Sequence, residues 1–139
     1  YHLPGDFLRT ALKVKGDGAY LVSDSASTAG LAPGIYDDSE IEEGGFTHMK
    51  GNRELLAGAW HQLDRGVERL CELGWRLEDA WRQASAVPAA IIGLELPRIE
   101  VGALAEFALA RWDGQALELQ QVVAGGEEIL DGPVHPRML

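Results

Sequence analysis

Apolar and polar positions alternate with helical spacing at the start of the chain. In PGDFLRTALKVK, residues 4 to 15, Phe7, Leu8, Ala11, Leu12 and Val14 fall at i, i+3, i+4 spacing. That spacing predicts an amphipathic helix with Pro4 in its first turn. Gly16-Asp17-Gly18 breaks it, and the short apolar run AYLV that follows has the texture of a buried strand. Helix, tight turn and buried strand form the α-to-β half of a parallel α/β unit.

Small residues follow, Ser23-Asp24-Ser25-Ala26-Ser27-Thr28-Ala29-Gly30, and Leu31-Ala32-Pro33-Gly34 reads as a turn. IYDDSEIEEGGFTHMK alternates loosely around Gly44-Gly45 and predicts an exposed, acidic hairpin. From Ala59 to Leu73 a helix is expected. Trp60, Leu63, Val67, Leu70 and Cys71 form its apolar stripe, Asp64, Arg65, Glu68 and Arg69 face outward, and Gly74 stops it. A second helix over Leu77 to Ser85 and a short turn opened by Pro88 and closed at Gly93 come next. Beyond Leu96-Pro97, EFALARW, ALELQQVV and EEIL are β-type runs separated by Asp113-Gly114 and Gly125-Gly126. The tail DGPVHPRML is expected to be loose.

This order suits part of a fold better than a whole one. One buried parallel strand needs ladder partners on both sides. The expected class is therefore α/β: the last units of a larger (β/α)8 barrel over 1–93, then a β module over 94–139. Such a barrel takes about 250 residues, so most of it is expected upstream. The missing initiator Met fits that expectation.

Composition narrows the partners. Twenty-two acidic against 12 basic residues give a net charge of −10, which argues against a phosphate-backbone binder and predicts repulsion from nucleic acid and anionic membranes. No apolar run approaches the ~18 residues that cross a bilayer, and the N-terminus lacks the pattern of a signal peptide. The single cysteine, Cys71, excludes an internal disulfide and fits a reducing cytoplasm.

Candidate chemistry is sparse. Asp24 stands where the strand should end, and in parallel α/β folds that end carries the active site. An Asp there can equally cap a turn. The histidines His2, His48, His61 and His135 show no H-x-H or H-x-x-x-H spacing, so no local motif assembles a metal's first shell. His61 reads as a structural residue at the edge of the core. No nucleophile elbow or phosphate loop is present.

The run LVSDSASTAGLAPGIY (21 to 36), then LLAG (55 to 58), Gly66-Val67, ASAVPAAIIGL (84 to 94) and RIEVGALAEFALARW (98 to 112) resembles the C-terminal part of N-acetylglucosamine-6-phosphate deacetylases, in the amidohydrolase superfamily. The resemblance implies that the β module is part of a small β-sandwich domain. It also implies that Asp24 is the catalytic acid and base beside a divalent metal, with which it could make a secondary contact. His2 would contact the sugar phosphate, and Leu56, Ala57 and Gly58 would line the substrate pocket with backbone.

The implied reaction is hydrolysis of the acetamide of N-acetylglucosamine 6-phosphate, assisted by zinc, in a homodimeric enzyme. Zinc lowers the pKa of a bound water towards ~7. The family's metal ligands have no positions here, so the isolated chain is expected to bind no zinc tightly, to be inactive and to self-associate. Another amidohydrolase, such as an N-acyl-amino-acid deacylase, and a non-catalytic binding domain are the alternative readings. Ser25, Ala59, Val87 and Glu106 depart from the family pattern, which bears on the sugar more than on the reaction.

Overall fold

The computed structural model describes residues 3–96 and 98–134, which form four helices and two antiparallel sheets. Helix α1, Gly5–Lys15, carries Asp6 in its first turn and Lys13 and Lys15 in its last, complementing the helix dipole. A 3-10 turn, Gly16–Gly18, follows. Arg82 grips it through both terminal guanidinium nitrogens, its Nη2 donating to Asp17 Oδ2 at 2.6 Å.

Residues 19 to 24 make no ladder among the described residues. The expected buried strand AYLV is thus corrected to a segment outside either sheet. Leu21 N–H donates to Gln83 O at 2.9 Å, and a single parallel bridge joins Ser25 to Ala59. Tyr20 and Val22 are exposed because no second strand covers them within this part of the chain.

Where one exposed hairpin was expected, four strands form a meander: β1 (Gly34–Tyr36), β2 (Ser39–Ile41), β3 (Thr47–Met49) and β4 (Asn52–Leu56). Ser39, Ile41 and Thr47 on one face and His48 on the other are buried, so the sheet is not the solvated element that its acidic composition suggests. A polar clasp closes it. Glu42 accepts from Arg53 Nε at 2.6 Å and Nη2 at 2.7 Å, and its Oε1 lies 3.1 Å from His48 Nε2. The Arg53 hydrogen bond holds the Glu42 carboxyl below the usual carboxylate range.

Helix α2, Leu63–Glu72, begins four residues later than its apolar stripe suggests, because Ala59 is bridged to Ser25 and Trp60 is packed elsewhere. It ends in a Schellman arrangement: Gly74 N–H donates to Cys71 O and Trp75 N–H to Leu70 O, with Gly74 at φ 92. Helices α3 (Leu77–Ala84) and α4 (Ala86–Ile91) follow. Pro88 lies inside the first turn of α4, where its missing N–H costs nothing. Leu12, Val67, Leu70 and Ala80 form the core cluster that joins α1, α2 and α3.

The last sheet comprises β5 (Phe107–Trp112), β6 (Leu117–Ala124) and β7 (Glu127–Val134). Both turns follow the expected chemistry. Asp113 Oδ1 accepts from Gln115 N and Ala116 N, and Gly125-Gly126 forms a two-residue connection with both φ values positive. β7 continues through Val134, so the tail expected to be loose is strand up to that point; 135–139 lie outside the described residues.

Glu68 departs most from its expected outward orientation. Its side chain is fully buried, with Oε1 accepting from Leu117 N at 2.8 Å and Oε2 accepting from Arg65 Nη1 at 3.0 Å. A carboxylate inside the protein requires such partners, and here they join α2 to the start of β6. Among the described residues no helix is long and apolar enough to cross a membrane, and no barrel is formed.

Candidate functional site

Asp24 follows the 19–23 segment with its side chain exposed and its backbone at φ 50. Among the described residues only Asp37 is another non-glycine residue with positive φ, and Asp37 sits in the two-residue β1–β2 turn, which favours that conformation. Asp24 lies in no hairpin. Its left-handed backbone is held by neighbours: Ala59 N–H donates to Asp24 O at 2.7 Å, and Ala26 N–H donates to Ala59 O at 3.1 Å. Non-glycine residues in this conformation persist where surrounding structure over-determines them, and they cluster at functional sites.

The chain reaches Ala59 from β4. Leu56 is the last residue of that strand, paired opposite His48, and is exposed. Ala57 N–H donates to Thr47 O at 3.2 Å, and Gly58 turns at φ 86. A Cβ on Gly58 would lie 3.0 Å from Asp24 O and 3.2 Å from Ala26 Cβ. Asp24 and Gly58 are thus brought together, with Leu56 and Ala57 leading into the contact. His2 lies outside the described residues.

Trp60, Gln62 and Ala59 also belong to this constellation, although the sequence reading placed Ala59 and Trp60 in a helix and assigned Gln62 no role. Trp60 Nε1–H donates to Leu31 O at 2.8 Å, tying the loop after Asp24 to the entry of α2. Its ring abuts Gly45, where a Cβ would come within 2.9 Å of Trp60 Cδ2. Gln62 Oε1 faces the Ser25 hydroxyl at 3.5 Å. The glycine pattern at Gly45 and Gly58 was the available signal, since close approach of backbone to a neighbour selects glycine.

His61 stacks edge-on against Trp60, with ring centroids 4.9 Å apart. Burial, reinforced by the Arg65 charge, pushes its imidazole pKa down. Burial also pushes the Asp64 carboxyl up, against the hydrogen bond from Arg65 N–H. Both groups flank Gln62 at the start of α2. Among the described residues no three His, Cys, Asp or Glu side chains converge as a metal centre requires.

No protein-family model matches the chain, and no curated protein matches it. Among solved structures it is similar to N-acetylglucosamine-6-phosphate deacetylase from Thermotoga maritima, with a TM-score of 0.76 at 24% sequence identity. The likeness covers 94% of this chain and 36% of that one, so the chain spans about a third of that enzyme's length. At this level of identity the likeness is one of fold. The described residues share the mixed helix and sheet architecture of a segment of that deacetylase.

Proposed function

We propose that this chain is the C-terminal part of a metal-dependent deacetylase that hydrolyses the acetamide of N-acetylglucosamine 6-phosphate to glucosamine 6-phosphate and acetate. In this reading residues 1–93 are the last α/β units of a (β/α)8 barrel and 94–139 the closing segment of a small β domain. The carrying observation is that fold likeness to such a deacetylase extends over 94% of the chain, over which the sequence resemblance also runs in the same order. The left-handed backbone of Asp24 adds support, because it lies outside any hairpin and is held by the Ala59 contact.

The Asp24 carboxylate is the group that moves protons. It accepts one from the attacking water as the oxygen bonds to the acetyl carbon, then returns it to the sugar nitrogen as the C–N bond breaks. The Leu56-Ala57-Gly58 backbone lies alongside as the wall of the substrate pocket. A metal, zinc by the family's chemistry, would supply Lewis acidity from ligands outside the described residues. Homodimeric assembly and a cytoplasmic location rest on the same resemblance.

Acetate release from N-acetylglucosamine 6-phosphate and from N-acetyl amino acids, measured on the complete gene product, tests the reading. A general acid/base contributes about 10²–10⁴ in rate, so Asp24→Asn should lose at least that much on the sugar phosphate. An Asp24→Asn protein with near-wild-type turnover, or a wild type acting only on N-acetyl amino acids, would overturn it.

A further inference from the structure

We infer that Gly58 is a positioning residue for Asp24, acting through the backbone so that the β1–β4 sheet sets the Cα–Cβ direction from which the carboxylate projects. The inference rests on the deacetylase reading for its catalytic meaning but not for its geometry. Asp24 is anchored at its own carbonyl, which takes the Ala59 N–H at 2.7 Å, while Ala26 returns the contact to Ala59 O. With φ at 50 and the carbonyl fixed, the Cα–Cβ direction of Asp24 is fixed too.

That hydrogen bond requires the 58–59 peptide to lie directly against Asp24. Any side chain at 58 would place its Cβ 3.0 Å from the Asp24 carbonyl oxygen and 3.3 Å from Ala26 N, both backbone atoms that cannot swing aside. Glycine is needed for the close approach as well as for the φ of 86. On its other side the same strand end is tied to β3, by Ala57 N–H to Thr47 O. The sheet, the glycine and the aspartate backbone form one continuous chain of contacts.

Gly51 provides the matched control. It lies in the β3–β4 turn at φ 75, and a Cβ there meets nothing within 4 Å. Gly51→Ala therefore introduces left-handed strain without touching Asp24. In wild type, the Ala59 amide should be protected from hydrogen exchange and the Asp24 resonances should report a left-handed backbone. Gly58→Ala should displace the Asp24 backbone and carboxyl resonances, and lower kcat about tenfold or more, since small misplacements of reacting groups have large rate effects.

Gly58→Asn, which accepts positive φ more readily yet keeps the Cβ, should behave in the same way. Gly51→Ala should leave the Asp24 resonances and kcat unchanged. An unprotected Ala59 amide in wild type, or Asp24 resonances displaced no more by Gly58→Ala than by Gly51→Ala, would overturn the positioning role. A complete wild type without deacetylase activity, but with Asp24 resonances displaced by Gly58→Ala, would sink the deacetylase reading and leave the clamp standing.

Discussion

His61 and Asp64 sit a turn apart, and the same burial drives them in opposite directions, the imidazole pKa down and the carboxyl up. Folded His61 holds a proton less tightly than unfolded His61. Its contribution to stability is therefore complete above the unfolded value of about 6.5 and is lost as pH falls below it. Melting temperatures measured from pH 7 to pH 5 should decline, and His61→Gln should decline less steeply. A variant as steep as wild type would remove His61 from the account. At this scale the candidate site was half legible. Asp24 stood out because one charged residue interrupts a run of small ones at a predicted strand end. The Ala59 contact, the Gly45–Trp60 packing and the Ser25–Gln62 approach are long-range, and no local pattern announces them.

Elements with a turn signature were read well, and those defined by a partner were not. Gly125-Gly126 and Asp113-Gly114 determine their hairpins locally, and α1, α3 and the Gly74 stop follow from spacing and capping. The AYLV run reads as a strand because its residues are apolar, yet a strand exists only where a ladder neighbour does. Glu68 reads as outward-facing for the converse reason: periodicity cannot foresee that a backbone N–H from β6 will meet it. Glu68 supplies the acceptor for a buried N–H, and leaving such a group unsatisfied costs about 1–3 kcal/mol, whereas Arg65 keeps Glu72 as a partner. Glu68→Ala should accordingly lower stability by about 2 kcal/mol in urea unfolding, whereas Glu68→Gln, which keeps an acceptor for Leu117 N–H, should lose about half as much. Equal losses in the two variants would mean that the hydrogen bond to β6 contributes little.

Across the whole molecule, unpartnered apolar surface concentrates between α4 and β5. Ile92, Leu94, Ile99, Val101 and Leu104 are all exposed, Ile99 and Val101 almost completely. Self-association is expected from exposed strand edges and from the faces of Trp60, Trp75 and Trp81, which are half-buried, and the connector adds further exposed apolar surface. Large apolar patches on an isolated chain promote association. Sedimentation velocity should show concentration-dependent oligomers, and Ile99→Glu combined with Val101→Glu should shift them towards monomer. A strictly monomeric wild type at high concentration would refute this.

The Glu68 joint also has an evolutionary consequence. Its acceptor binds a main-chain group, so the identity of residue 117 is irrelevant to the bond, and position 117 can drift among side chains that fit its pocket. Position 68 has no such freedom, and its side chain pairs with Arg65, which Glu72 also engages. Among descendants of this chain, residues 65 and 68 should therefore change together, while 117 varies independently of both.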